Sequence, residues 1–217
     1  MNRANAIKSI KDLSGQLFIH KNIKCRFNNK LLSYSARTSM NENNNAAGVD
    51  VGVSEIYHAK YRFLSSRLLK VQDEDFARVI LNMYHEEMHV IQKNQMFRKN
   101  DLSKYEQRQL IQEIACMDNP VYYLQGGNYK HNANEIQAEQ YGIMKCYEYL
   151  QHAFPHKDPK QLESIVLNVV NDKMMRYTYF VSQKEPFTSL SDVEAAFDDA
   201  YIKSFSEPRS FFSLTAM

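Results

Sequence analysis

The stretch that decides the fold lies before the middle of the chain and reads Met83-Tyr84-His85-Glu86-Glu87-Met88-His89-Val90-Ile91. It contains the pattern HExxH, two histidines four residues apart with a glutamate directly after the first. On a helix, residues four apart share one face, so the rings of His85 and His89 are placed to bind one zinc ion. Glu86 is then placed to take a proton from a water molecule on that metal. The spacing predicts a helix that carries a metal site.

The residues around this stretch predict an amphipathic helix over residues 73–97. Three acidic residues open the segment, where the helix dipole favours negative charge. At about 100° per residue, the apolar side chains fill one broad arc and the two histidines lie in the opposite arc. Glu87 falls within the apolar arc. We therefore expect Glu87 to be either paired inside the protein or exposed where the helix leaves the core.

The composition is that of an ordinary globular protein. The chain has 217 residues, of which 44% are hydrophobic and 24% are charged. No apolar run approaches the roughly 20 residues needed to span a bilayer, and the first residues do not resemble a secretory signal. The three cysteines are far apart and form no CxxC pair. We therefore predict one domain without a disulfide framework, located in the cytoplasm, and no membrane partner.

The charge is unevenly distributed along the chain. Residues 1–72 contain twelve Lys/Arg and four Asp/Glu, whereas the net charge of the whole chain is +2. A basic first third is compatible with binding to nucleic acid or to an acidic partner. Since no nucleic-acid-binding motif accompanies it, a basic solvated surface is the favoured interpretation.

The first third predicts a short helix and a small sheet. The helix covers residues 3–13 and ends before Gly15. Strands are predicted at residues 16–20, 24–27, 31–37 and 49–57, with a turn at 28–30 and an Asn-rich loop at 40–48. Because these strands are short and joined by turn residues, we predict an antiparallel sheet.

The rest of the chain predicts helices. After residues 73–97, helical patterns cover residues 103–117, 132–150, 158–178 and 191–205, followed by an apolar tail at 206–217. A sheet followed by helices is an α+β arrangement. We predict a single domain over 1–217, with a strand region at 1–72 and a helical region at 73–205 that carries the metal site.

A third metal ligand is predicted on the helix that starts near residue 132. Glu135 and Glu139 lie one turn apart on one face, and Gly142 and Cys146 continue the same line. Small residues on that line allow a close approach to the helix of the HExxH pattern. Glu135 also fits a simpler role, because Asn132 followed by Glu135 resembles a capping box. Glu139 fits both a contact with a ligand histidine and an exposed position.

The HExxH pattern followed by a helix reading Asn-Glu-x-x-Ala-Glu-x-x-Gly (134–142) resembles the gluzincin branch of the zincin metallopeptidases. The resemblance implies a helical zincin-like core with zinc bound by His85, His89 and Glu135. It implies that Glu86 is the general base and that Glu139 orients a ligand histidine. The implied activity is zinc-dependent hydrolysis of peptide bonds in a protein or peptide, with Glu86 acting on a zinc-bound water.

Two positions depart from the common pattern of that family. Glu87 stands where many members have an apolar residue, and Glu139 stands where aspartate is more frequent. Neither change removes a ligand. The ligand set suits zinc, but manganese, cobalt and nickel are also compatible with it.

The resemblance also implies a substrate edge and an oxyanion donor. The strand over residues 49–57 is the candidate edge for an extended substrate. The candidate donors are Tyr141, Tyr177, His131 and His58. The alternatives are a zincin-fold protein that binds or regulates a partner without catalysis, including a partner associated with nucleic acid, and a nucleic-acid-binding protein that uses the basic first third. The sequence does not predict an oligomeric state.

Overall fold

A computed structural model describes residues 1–19, 22–30, 36–40, 46–57, 70–96, 133–176 and 185–206. In chain order the elements are α1 (Arg3–Leu17), β1 (Lys24–Asn28), β2 (Ala36–Met40), β3 (Ala46–Gly52), α2 (Ser54–Tyr57), α3 (Asp73–Met96), α4 (Ala133–Ala153), α5 (Pro159–Arg176) and α6 (Leu190–Ser206). Strands come first and most of the helices follow, so the α+β prediction is confirmed.

The long helices agree with the sequence pattern to within a few residues. Three of them, α3, α4 and α5, begin within one residue of the predicted start, and α6 begins one residue early. Their apolar stripes supply most of the core, which explains why a period near 3.6 located them. The predicted helix over 103–117 and the predicted tail lie outside the described residues, apart from Ser206.

The first helix is longer than predicted. We expected α1 to end before Gly15 and a strand to follow, but α1 continues to Leu17. The buried side chains of Ile10, Leu13 and Leu17 continue one apolar stripe through the glycine. One glycine within a helix costs only about 1 kcal/mol, and burial of that stripe outweighs the cost.

The sheet differs from the prediction in its topology. Its strand order is β1-β3-β2, with β2 antiparallel to β3 but β1 parallel to β3. The prediction of an antiparallel sheet is therefore wrong for the β1–β3 pair. Strand β3 takes the centre because Val49 and Val51 are fully buried on its inner face. A central strand offers no free edge, and residues 54–57 form a helix, so the predicted substrate edge over 49–57 is also wrong.

One face of the sheet packs towards α3. Thr38 of β2 lies opposite Val49 of β3, and residues opposite each other in an antiparallel pair point to the same face. Thr38 therefore points to the buried face. The other face is polar, and Arg26 forms an ion pair there with Asp50 at 3.0 Å.

Helix α3 lies at the centre of the molecule and packs against the sheet, α1, α4 and α5. Its approach to α4 is very close at Gly142. A Cβ atom there would lie 2.9 Å from the Leu81 carbonyl oxygen and 3.3 Å from His85 Cβ. A side chain at position 142 would push the two helices apart. Among the described residues, no helix is long and apolar enough to cross a bilayer.

Candidate metal centre

Three side chains from α3 and α4 converge on one point. The Nε2 atoms of His85 and His89 lie 3.0 Å apart. Oε2 of Glu135 lies 3.4 Å from Nε2 of His85 and 3.5 Å from Nε2 of His89. All three side chains are largely buried, with exposed fractions of 14%, 11% and 7%. The helical repeat places the two rings side by side, and Glu135 comes from the first turn of α4.

The separations of these donor atoms fit a metal ion. Zinc binds imidazole nitrogen and carboxylate oxygen at about 2.0–2.2 Å, and a tetrahedral arrangement then separates neighbouring donors by roughly 3.3 Å. The observed distances between the three donor atoms, 3.0, 3.4 and 3.5 Å, lie on both sides of that value. His85, His89 and Glu135 could therefore hold a metal ion, and the three donors leave a fourth position for another ligand.

The second nitrogen of His85 faces a carboxylate that is itself paired. Nδ1 lies 3.1 Å from Oε2 of Glu139, within ion-pair distance, although the two groups are not aligned as a hydrogen bond. Oε1 of Glu139 accepts a hydrogen bond of 2.7 Å from Nζ of Lys173, and Lys173 also lies 3.3 Å from Oδ1 of Asn82. Of the two positions open to Glu139, the structure therefore has the buried one beside His85 and not the exposed one.

The second nitrogen of His89 meets neutral groups instead. Nδ1 lies 2.9 Å from Oε1 of Gln92, and Nε2 of Gln92 donates to Oε1 of Gln137 at 2.9 Å. With Nδ1–H donating to the amide oxygen, Nε2 keeps the lone pair that a metal requires. Each ring therefore has a polar group beside its Nδ1 atom, a carboxylate for His85 and an amide for His89, while its Nε2 atom faces the cluster.

Glu86 is buried and anchored to the sheet. Oγ1 of Thr38 donates to Oε2 of Glu86 at 2.5 Å, which links β2 to α3. Glu86 is only 4% exposed. A carboxylate next to His85, shielded from bulk water and fixed on one oxygen, is suited to proton transfer on its other oxygen.

Charge in the cluster is strongly coupled. Burial alone would lower the pKa of His85, but the neighbouring carboxylates of Glu135 and Glu139 outweigh it and raise that pKa to about 10. Burial alone would raise the pKa of Glu139, but Lys173 and His85 hold it down at about 2. The pKa of Glu135 is also lowered, against the effect of burial, by both histidines. Without a metal, protons on the imidazoles therefore balance the carboxylates.

The buried charges around the cluster indicate which charge a metal ion there would need. Within the described ranges the buried carboxylates are Glu86, Glu87, Glu135 and Glu139, and the buried lysine is Lys173. Glu87 lies roughly 200° around α3 from His85, away from the cluster. The other three carboxylates and one ammonium leave two excess negative charges. Because uncompensated buried charge is costly, a divalent cation suits this site.

The structure describes some of the remaining residues that the sequence analysis singled out, and the others lie outside the described ranges. Glu87 is paired inside the protein, since the hydroxyl of Tyr141 donates to its Oε2 at 3.1 Å. Tyr141 is therefore directed to the far side of α3 and is a poor oxyanion donor. The other candidate donors, Tyr177, His131 and His58, lie outside the described residues, and so does Asn132 of the predicted capping box. Cys146 is a buried packing residue, and its Sγ donates to the Ala77 carbonyl at 3.3 Å.

The sequence did not reveal the partners of the predicted ligands. Gln92 follows His89 by three residues on the polar face of α3, which is a signal that could have identified it. Lys173 continues a spacing of three and four residues from the buried Leu162, Val166 and Val169, so a lysine in a core position was the available signal. Thr38 had no such signal, because its contact depends on the sheet topology.

Comparison with known proteins gives no relative: no family model matches the chain, and no curated protein or solved structure is significantly similar to it.

Proposed function

We propose that this protein is a zinc-dependent metallopeptidase that hydrolyses peptide bonds of a protein or peptide substrate. The observation that carries the proposal is the convergence of His85 Nε2, His89 Nε2 and Glu135 Oε2 within 3.0–3.5 Å of one another. Zinc bound there would supply a Lewis acid for the substrate carbonyl and lower the pKa of water.

Glu86 would move the proton in the reaction. Its carboxylate takes a proton from the attacking water and returns it to the leaving amine, as general base and then general acid. The hydrogen bond from Thr38 holds one oxygen of Glu86 and leaves the other for this transfer. Burial excludes competing water and strengthens the interaction of the carboxylate with positive charge.

Strand β2 would position an extended substrate. In the described sheet it is an outer strand, with β3 on its inner side, and its Thr38 contacts Glu86. A peptide that added to β2 through main-chain hydrogen bonds would pass beside the proposed base. This assignment replaces the one made for residues 49–57. The described cysteines, Cys25 and Cys146, carry free thiols, which supports the proposed cytoplasmic location.

Zinc content and peptide cleavage test the proposal together. The wild type, Glu86→Gln and Glu135→Ala are incubated with a mixture of unstructured peptides, and mass spectrometry detects new termini. We expect about one zinc per wild-type chain and cleavage that falls by a factor of at least about 100 in Glu86→Gln, which keeps its zinc. Glu135→Ala should lose both. Glu148→Gln, an exposed acid on α4, is the matched control.

Two results would change the assignment. Cleavage at the wild-type rate in Glu86→Gln would remove Glu86 as the base. Stoichiometric zinc without cleavage of any peptide by the wild type would favour the alternative, a protein that binds or regulates a partner without catalysis.

A further inference from the structure

Lys173 is a buried lysine that contacts the metal centre through one intermediate residue. It lies on α5, a helix that supplies none of the three ligands, and it is 7% exposed. Its Nζ is 2.7 Å from Oε1 of Glu139 on α4 and 3.3 Å from Oδ1 of Asn82 on α3. One ammonium group therefore joins all three helices at a position directly behind His85.

Packing does not require a lysine at this position. The side chains one, two and three turns earlier on the same stripe are Val169, Val166 and Leu162, and each is at most 1% exposed. An apolar residue would continue that stripe without burying a charge, and buried ion pairs often contribute no more stability than apolar residues of similar volume. The ammonium is explained better by what it does to Glu139.

We propose that Lys173 is a positioning residue of the metal centre, and that it acts through Glu139 on His85. This inference rests on the proposed function, since it concerns the same metal site. Lys173 occupies Oε1 of Glu139, which turns Oε2 towards Nδ1 of His85 at 3.1 Å. The carboxylate beside Nδ1 favours the proton of His85 on that atom, so that Nε2 can face His89 and Glu135 with its lone pair free.

The contact with Asn82 makes this arrangement rigid. Asn82 lies three residues before His85 on α3, so the lysine is anchored to the helix whose histidine it orients. A carboxylate held by an ammonium can rotate less than one that faces water. The ring of His85 is therefore fixed by a chain of charged contacts that ends on a different helix.

Zinc affinity of a substitution series tests the proposal. Lys173→Met keeps the length of the side chain and removes its charge. We expect its zinc dissociation constant, measured by competition with a chromophoric chelator, to rise by about 10–100-fold, as does loss of other outer partners of metal ligands. Glu139→Gln should show a similar rise. Because Lys173 acts through Glu139, the double variant should bind zinc about as well as Glu139→Gln alone.

Lys157→Met is the matched control. Like Lys173, Lys157 forms an ion pair with a carboxylate. Its partner is Asp73, at the beginning of α3 and away from the cluster. The same substitution there removes an ion pair of similar chemistry without touching Glu139. Its zinc affinity should equal that of the wild type.

A spectroscopic measurement separates positioning from general loss of structure. In zinc-loaded protein with ¹⁵N-labelled histidine, each ligand ring gives an Nδ1–H signal, one facing Glu139 and the other facing Gln92. Lys173→Met should shift the His85 signal and leave the His89 signal in place. Equal shifts of both signals would indicate a structural effect and overturn the proposal.

The remaining outcomes are also decisive. Wild-type zinc affinity in folded Lys173→Met would overturn the role of Lys173 and leave the metal centre intact. If Lys173→Met does not fold, the double variant carries the test, and binding more than about tenfold weaker than in Glu139→Gln would overturn the proposal. A wild type that binds no zinc would remove the proposed function and this inference together.

Discussion

His85 and His89 present the same ring atom to the cluster, yet the groups behind them are different. Behind His85 stand a carboxylate and an ammonium, contributed by α4 and α5. Behind His89 stand two neutral amides, those of Gln92 and Gln137, contributed by α3 and α4. The hydrogen bond between Lys173 and Glu139 joins two opposite charges, and hydrogen bonds of this kind are roughly twice as strong as those between neutral groups. The comparison indicates that charged groups fix the orientation of His85, whereas weaker hydrogen bonds between neutral side chains fix that of His89.

Removal of either imidazole ring should have the largest effect on zinc affinity. The two variants should be equally impaired, although the groups behind the two rings differ. His85→Ala and His89→Ala each delete one of the three proposed ligands, so we expect a loss of zinc affinity well beyond the roughly 10–100-fold that an outer partner costs. Elemental analysis of dialysed protein measures it. His152→Ala, at an exposed position, is the control and should keep its zinc. Zinc retained in one of the two alanine variants would show that its ring is not a ligand.

Gly142→Ala should disturb the His85 side through the backbone. The added methyl group would meet the Leu81 carbonyl oxygen at 2.9 Å and the His85 backbone nitrogen at 3.2 Å. We expect the free energy of unfolding in urea to fall by about 1–3 kcal/mol, together with weaker zinc binding.

Gly15→Ala is the matched control for that substitution. Gly15 also lies within a helix, but a Cβ atom added to it would meet no heavy atom within 4 Å. Alanine there should raise the free energy of unfolding by about 0.5–1 kcal/mol. A stable Gly142→Ala variant would mean that α3 and α4 can separate without loss of the site.

Glu139→Gln and Gln92→Leu compare the two sides directly. Glu139→Gln removes the negative charge behind the His85 ring, and Gln92→Leu removes the amide oxygen behind the His89 ring. We expect Glu139→Gln to weaken zinc binding by a factor nearer 100 and Gln92→Leu by a factor nearer 10, because the first group is charged. Competition with a chelator at constant pH gives both values. The reverse order would mean that burial of the amide chain matters more than charge.

The smallest effect, a change in the free energy of unfolding, is expected at the ion pair of Lys157 with Asp73, which lies outside the cluster. Lys157 and the N-terminal ammonium together outweigh the effect of burial and lower the pKa of Asp73. A carboxyl with a lowered pKa stabilises the fold above its unfolded pKa, near 4, and loses this contribution as the pH falls through the folded value. Asp73→Asn should cost less than about 1 kcal/mol at pH 7 and nothing near pH 2. Urea unfolding of the wild type and Asp73→Asn at both pH values tests this prediction. An equal loss of stability at the two pH values would exclude the ion pair as the cause.

The convergence of His85, His89 and Glu135 was predictable because it depends on local spacing. His85 and His89 are fixed by one helical repeat, and Glu135 and Glu139 by another, while Gly142 indicated which faces meet. The groups behind the ligands were harder to predict, since they depend on how distant helices dock. Lys173 is 34 residues from Glu139, and no local pattern joins them.

The errors in the first third have a related cause. Alternation identified β1 and part of β3, but pairing is decided by tertiary contacts, so the parallel β1–β3 pair was not predictable. The predicted end of the first helix relied on Gly15, because glycine often ends a helix. In α1 the buried stripe continues past that glycine, and packing decides the length.

The central position of β3 has a consequence for the order of folding. Strands β2 and β3 are neighbours in sequence and antiparallel, so they can form a hairpin, an event that takes about 1–10 μs. Strand β1 pairs with the far side of β3 and must close a longer loop, which is slower. Thr38, which holds Glu86, therefore belongs to the part of the sheet that forms first. Destabilising substitutions in β2 should slow folding, whereas those in β1 should mainly speed unfolding.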